Sequence, residues 1–240
     1  MAQRVLYWKG CMSRYRTKSI ADSIERLLTL MKVDYTTLGE DEGCCGSVLY
    51  RTGQTPDAIL VSRKTIERIS SLGVKEVVTG CPGCFRTMSQ DYAKAFRSVP
   101  FEVRHISQFL FSIRDRLKDH LRPIDAKVVY HDPCHLGRHM GVYEEPRALI
   151  KMIPKVELLE FKYNRNKALC CGSGGGVRSA FPEVSLEVAK SALGELPEGT
   201  EIVVTACPFC KYNFAEANNN RKTKIQVMDL PELLLRAWGG

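Results

Sequence analysis

The sequence of 240 residues holds ten cysteines, and their spacing is its chemically informative feature. They form two sets of one design: a single Cys, then Cys-Cys-Gly, then Cys-Pro-x-Cys. The first set is Cys11, Cys44, Cys45, Cys81 and Cys84; the second is Cys134, Cys170, Cys171, Cys207 and Cys210. None is left over. In a reducing compartment so many thiols argue for metal binding or redox work rather than structural bridges. A disulfide framework would also strand an odd cysteine in each set. The Cys-x-x-Cys element alone serves zinc, iron–sulfur clusters and thioredoxin-like pairs. Here each copy follows an expected strand and precedes an expected helix, a junction where free N–H groups and the helix dipole favour negative charge. Adjacent cysteines are more discriminating, because neighbours on extended chain point to opposite faces. Both thiolates reach one centre only if the backbone bends, and Gly46 and Gly172 directly after each pair allow it. A structural zinc or a cubane cluster needs four thiolates, so each set has one to spare.

The elements that carry these motifs occur twice. Arg4-Val5-Leu6-Tyr7 before Cys11 is echoed by Lys127-Val128-Val129-Tyr130 before Cys134. Cys44-Cys45-Gly46 is echoed by Cys170-Cys171-Gly172, and Val77-Val78-Thr79 before Cys81 by Val203-Val204-Thr205 before Cys207. Three landmarks in the same order at a nearly constant offset mean a duplication. The copies divide into residues 1–122 and 123–240, with Leu121-Arg122-Pro123-Ile124-Asp125 as a short polar hinge. β-branched runs predict strands at Arg4–Tyr7, Val74–Thr79, Ala126–Tyr130 and Glu201–Thr205. Helices are predicted at Ser19–Met31, Asp57–Ser71, Ile106–Leu117, Pro146–Met152, Val184–Leu193 and Leu230–Trp238, with others starting at Phe85 and Lys211. In Asp57–Ser71 the apolar positions Ile59, Ile66 and Ile69 define the expected buried face, on a helix read as scaffold. Strands alternating with helices predict an α/β fold: two tandem Rossmann-like repeats, each a small, mostly parallel sheet with flanking helices.

Bulk properties narrow the function classes. Hydrophobic residues are 44% and charged residues 26%, as in soluble globular proteins. No stretch approaches the roughly 20 apolar residues of a membrane span. Residues 1–6 are too short for a secretory leader, so a cytoplasmic location is expected, with any membrane association through a partner. The formal charge is +8, but the basic residues form no long run, and thiolates with a cluster would lower it. Nucleic-acid binding is therefore not expected. The loop Gly172-Ser173-Gly174-Gly175-Gly176 lacks the Lys-Ser/Thr that a phosphate loop requires; it suits close passage of backbone past a cluster, with room for substrate.

Two histidines flank Cys134. His131 and His135 are of the type that protonates a leaving thiolate near neutral pH, against the plainer role of bonding local backbone. Trp8 and Met12 stand at the matching places in the first copy, so the second site is the better candidate for proton-coupled chemistry. Lys9, Arg14, Arg138 and Arg178 lie near cysteine motifs, where they would serve either anionic substrate groups or the solvated surface.

The motifs Gly10-Cys11-Met12-Ser13-Arg14, Cys44-Cys45-Gly46-Ser47, His131-Asp132-Pro133-Cys134-His135, Cys170-Cys171-Gly172-Ser173-Gly174-Gly175-Gly176 and Cys207-Pro208-Phe209-Cys210 together resemble the duplicated Cys-Cys-Gly domain of heterodisulfide reductases. The likeness is to the catalytic part of the D subunit of these enzymes, and more distantly to their B subunit. It implies that each five-cysteine set holds a noncubane [4Fe–4S] cluster with one bridging thiolate, giving two clusters; zinc in one site is the variant it leaves open. It further implies reduction, or reversible formation, of a small-molecule disulfide such as that of coenzymes M and B, seated between the clusters. The extra ferredoxin-like cysteine motifs of the D subunit do not occur here. A separate electron-donating iron–sulfur subunit, supplied in turn by a flavin or haem subunit, is therefore expected. The alternatives are an electron-transfer subunit of a flavin-dependent lactate or glycolate oxidase, and a zinc-stabilised assembly or anchoring module.

Overall fold

Residues 4–221 and 224–239 are described by the computed structural model; residues 1–3, part of the stretch weighed as a leader, lie outside them. The predicted β-branched runs become the inner strands of two sheets. In chain order the strands are β1 (Val5–Trp8), β2 (Tyr35–Thr36), β3 (Glu76–Thr79), β4 (Glu102–His105), β5 (Ala126–His131), β6 (Val156–Glu160), β7 (Ile202–Thr205) and β8 (Gln226–Asp229). One sheet runs β2-β1-β3-β4 and the other β6-β5-β7-β8, with every pairing parallel. The α/β expectation therefore holds for both copies, register included: Trp8 pairs with Thr79 as His131 pairs with Thr205. All four residues of β1 and of β7 are buried, as parallel strands covered on both faces must be.

Several elements differ from expectation. Helix Ile106–Leu117 breaks into Ile106–Ser112 and Asp115–Lys118, because Ile113 leaves helical geometry (φ −115°, ψ 23°). The helices expected from Phe85 and Lys211 begin earlier, at Pro82 and Pro208, since proline lacks the N–H that a first helical turn leaves unpaired anyway. The second of these runs unbroken over Pro208–Arg221. The first passes from Pro82–Arg86 through a π-helical turn, Thr87–Asp91, into Tyr92–Ala95. In Thr55–Ser71 the buried face is Ala58, Ser62, Thr65 and Ile69, so of the three isoleucines only Ile69 lies on it.

Packing ties the copies together. Helix Ile106–Ser112, which closes the first, lies on Glu144–Lys151 of the second; Leu230–Ala237, which closes the second, lies on Lys18–Leu30 of the first. One apolar core joins Ile20, Ile24 and Leu27 to Phe109, Leu149 and Leu233. The expected polar hinge belongs to this core. Leu121 and Ile124 are buried in it, Leu121 bridges to Trp238, and the Ile124 N–H donates to the Pro154 carbonyl at 3.0 Å. A smaller core lies beneath each cysteine set, and Phe209 packs against both.

Candidate functional site

In each sheet the strand order reverses between its two inner strands, and the crevice beyond their carboxyl ends is where open α/β sheets bind ligands. Cys11 and Cys81 follow β1 and β3; Cys134 and Cys207 follow β5 and β7. The loops after the edge strands β2 and β6 bring in the Cys-Cys pairs. The thiols neighbour one another in the order Cys11–Cys44–Cys45–Cys84–Cys81 in the first set and Cys134–Cys170–Cys171–Cys210–Cys207 in the second. Cys210 Sγ lies 3.1 Å from Cys171 Sγ. All ten thiols are free of disulfides. Both sets open on one cleft, to which every cysteine but Cys170 contributes.

The backbone is shaped to the sulfurs. Gly10 has φ +78°, and a Cβ there would sit 3.2 Å from Cys84 Sγ. Gly172 has φ +79°, and a Cβ would press within 2.6 Å of the Ser185 carbonyl oxygen, so no other residue fits the second Cys-Cys turn without displacement. The Gly46 and Gly172 N–H groups donate to Cys44 and Cys170 Sγ, each at 3.3 Å. Hydrogen bonds from Cys11 and Cys45 hold the Cys44 pKa far below the usual thiol range, and those from Cys134 and Cys171 do the same for Cys170. Cys81 is lowered by Cys84, helped by the backbone N–H groups of Cys84 and Gly83 at the helix start. The helix read as scaffold also seats this site: Thr65 Oγ1 donates to the Cys44 carbonyl at 3.0 Å.

Carboxylates fix the strand ends, differently in the two copies. Glu42 accepts from the N–H groups of Lys9 (2.9 Å) and Gly10 (2.7 Å), and Arg14 donates to its carbonyl. Burial raises the Glu42 pKa, opposed by those same donors. In the second copy Asp132 takes both guanidinium N–H groups of the buried Arg147 at 2.7 Å and the Arg165 N–H at 2.7 Å, and Arg147 also grips Glu160. Cys134 follows Asp132 after Pro133.

The sequence-derived candidates separate here. His135 lines the cleft, as does Met12, its counterpart. His131 is buried: its Nε2 lies 3.0 Å from the Leu169 carbonyl and its Nδ1 3.5 Å from Thr205 Oγ1. The four basic residues near cysteine motifs are engaged elsewhere. Lys9 pairs with Glu25, Arg14 reaches the Glu42 carbonyl and Glu40, Arg138 donates to the Asn166 and Ala168 carbonyls, and Arg178 pairs with Glu216. Arg51, which lies outside every motif, lines the cleft instead, together with Phe209 of the second Cys-Pro-x-Cys.

The donor set, thiols alone, fits iron–sulfur ligation. All ten donors are free thiols, and nine of them lie along the wall of one cleft. Trp8 Nε1, and Ser13 Oγ and Ser173 Oγ two residues past Cys11 and Cys171, are buried donors with no partner among the described residues. Buried donors are rarely left unpaired, and the sulfide and thiolate sulfurs of a cluster are acceptors of the kind they lack.

A cysteine-rich domain model, CCG, matches residues 5–89 and again residues 128–215. The chain belongs to the CCG cysteine-rich domain family. It is 38% identical to the D subunit of the dihydromethanophenazine:CoB–CoM heterodisulfide reductase of Methanosarcina acetivorans, over 98% of this chain and 59% of that protein. It is 33% identical to the uncharacterized iron-sulfur protein MJ0092 of Methanocaldococcus jannaschii, over 97% of this chain and 46% of that one. The B subunit of the fumarate reductase (CoM/CoB) of Methanothermobacter marburgensis is also 33% identical, over 98% and 46%. The CCG chain thus spans about half the length of the curated relatives it matches. Their names support a redox iron–sulfur role for it. Among the described residues, no helix is long and apolar enough to cross a membrane.

Proposed function

We propose that this CCG chain is the catalytic portion of a disulfide reductase, with Cys11, Cys44, Cys45, Cys81 and Cys84 holding one noncubane [4Fe–4S] cluster. Cys134, Cys170, Cys171, Cys207 and Cys210 hold the second. The observation that carries this reading is the single cleft on which both cysteine sets open. When bound, the clusters supply one electron each. Cleaving a disulfide consumes two electrons and two protons and yields two thiols. With a cluster held by each cysteine set, a substrate in the cleft would have an electron source on either side, and an acceptor in place of the donor would favour disulfide formation.

The chain's own residues orient and protonate. His135, on the cleft wall, is the group placed to give a proton to the departing thiolate. His131 acts one layer back, its ring nitrogens on the Leu169 carbonyl and Thr205, holding the loop that presents Cys170. We place the boundary between the two cluster-binding repeats at residues 122 and 123. Electrons come from an iron–sulfur partner that flavin or haem feeds, consistent with relatives named as reductase subunits.

Anaerobic purification followed by metal analysis and viologen-driven turnover tests this. The expected outcome is about eight irons per chain, four for each cluster, and release of both thiols from a mixed disulfide. Zinc in both sites, or full iron loading without thiol release, would remove the proposal.

A further inference from the structure

The turns that lead into the two Cys-Cys pairs match in place and are opposite in charge. Each is a 3₁₀ turn that ends three residues before its pair, Gly39–Asp41 before Cys44 and Arg165–Lys167 before Cys170. The first exposes Glu40 and Asp41; the second exposes Arg165 and Lys167, with Lys162 just upstream. Arg165 pairs with Glu144 at 2.9 Å. Lys162 and Lys167 pair with no carboxylate among the described residues, and Lys162 Nζ lies 5.4 Å from the centre of the Tyr163 ring.

Cys170 itself stands apart. Alone among the ten cysteines it does not line the cleft, yet it is exposed, whereas its counterpart Cys44 is exposed on the cleft. The second set therefore reaches the surface at a second place. Beyond the Cys170–Cys171 turn, Val188 packs on Gly172 so closely that a Cβ there would lie 2.9 Å from the valine Cβ. Phe181, Val184 and Val188 share one face of helix Pro182–Gly194 and its cap. Val184 is 57% exposed and Phe181 62%. In the first repeat Ala58 meets Gly46 as Ser185 meets Gly172, so Gln54 and Asp57 stand where Phe181 and Val184 do. Neither the cations nor the apolar stripe is duplicated. Exposed apolar side chains beside a charged edge are the anatomy of a protein interface.

We propose that electrons enter at this face of the second repeat, where Lys162, Lys167 and the Phe181–Val184 stripe dock an acidic, low-potential iron–sulfur protein. The inference rests on the reading that the set of Cys170 holds a cluster. Charge complementarity chooses the partner: an acidic carrier is drawn to the second repeat and repelled by Glu40 and Asp41 of the first. Docked there, it leaves the cleft open to substrate. Each docking passes one electron from the reduced carrier, which is oxidised, to the second cluster, which is reduced; no bond or proton changes hands. Two dockings supply the pair that a disulfide consumes.

Stopped-flow reduction and calorimetry on the anaerobic, iron-loaded protein test it. The probe is an acidic bacterial ferredoxin with two [4Fe–4S] clusters, and reduced methyl viologen is the reductant that needs no docking. Lys162→Glu and Lys167→Glu should each slow reduction by ferredoxin about 5-fold at low salt and flatten its salt dependence. Val184→Ser should weaken ferredoxin binding about 10-fold. All three should keep the parent iron content and the parent rate with viologen. Lys75→Glu, at the amino end of β3 and so at the opposite end of its sheet from the cysteines, makes the same change in net charge and should alter little. Equal slowing by Lys75→Glu would overturn the proposal, as would parent rates in both other lysine variants. So would a dimer of this chain that Val184→Ser disperses while ferredoxin binding stays unchanged. Viologen-driven thiol release with ferredoxin indifferent to every variant removes this inference alone. Lysine-dependent reduction by ferredoxin without thiol release instead sustains the docking face and removes the disulfide-reductase reading.

Discussion

At the scale of single residues, matching positions in the two repeats carry different side chains and so tune nominally equal sites apart. Trp8 and His131 both end an inner strand beside a cysteine set, yet His131 has partners for both ring nitrogens while Trp8 Nε1 has none. A hydrogen bond to cluster sulfur stabilises the reduced, more negative state and raises its potential. Trp8→Phe keeps the ring and removes the donor, so redox titration followed by EPR should find the first cluster shifted to lower potential and the second unmoved. The ligand partition has its own test. Cys45→Ser should disturb only the first cluster and Cys171→Ser only the second, because each thiol lies among the sulfurs of its own set. Loss of about half the iron in each variant, with the other cluster's EPR signal intact, is the expected result. The cysteines were legible in sequence because their spacing repeats. Arg51 was not, because nothing local marks it; only the fold carries it to the cleft that His135 also lines.

Among the elements, the inner strands announced themselves through β-branched runs, while the edge strands did not. β2 is only Tyr35–Thr36, and β4 and β8 are half-buried, mixed sequences such as Glu-Val-Arg-His. The face of Thr55–Ser71 was only partly legible: besides Ile69 it presents Ala58, Ser62 and Thr65, small and polar residues that adjoin the Cys44–Gly46 turn. Strand ends and helix starts also hold the titration most open to measurement. His105 ends β4 and caps Ile106–Ser112, its Nδ1 accepting from the Ser107 N–H at 3.2 Å and its Nε2 lying 3.3 Å from the Gly80 carbonyl. The ring is therefore the neutral Nε2–H form, and burial pushes its pKa down to about 4. Above the unfolded value near 6.5 both states are neutral and pH does not matter. Between about 6.5 and 4 the unfolded chain takes up a proton that the folded chain refuses, so stability declines as pH falls. From pH 7 to pH 5 this amounts to about 2 kcal/mol. In denaturant unfolding, His105→Gln should lose that much less than the parent over the same interval.

For the molecule as a whole, the duplication in the sequence suggests two beads on a string, and the packing is of another kind. The closing helix of each repeat covers a helix of the other, and one core runs through both. Periodicity gave each of these helices an apolar face; it could not say that the face belongs to the opposite copy, since both copies offer similar partners. Neither repeat can bury its closing helix alone. Residues 1–122 by themselves would leave Phe109, Leu110 and the face of Lys18–Leu30 without the cover of Leu149, Leu233 and Leu234. Burying one large aliphatic or aromatic side chain is worth about 1.5–3 kcal/mol, and a domain is stable by only about 5–15 kcal/mol, so uncovering several of them exceeds the margin. Residues 1–122 and 123–240 expressed separately should therefore aggregate or stay unfolded, and co-expressed they should assemble into a soluble pair that binds iron. The alternative outcome, two soluble and cooperatively folding halves, would mean that the shared core is a contact between finished domains. The distinction bears on function, because the cleft has one wall from each repeat and exists only while the shared core holds them together.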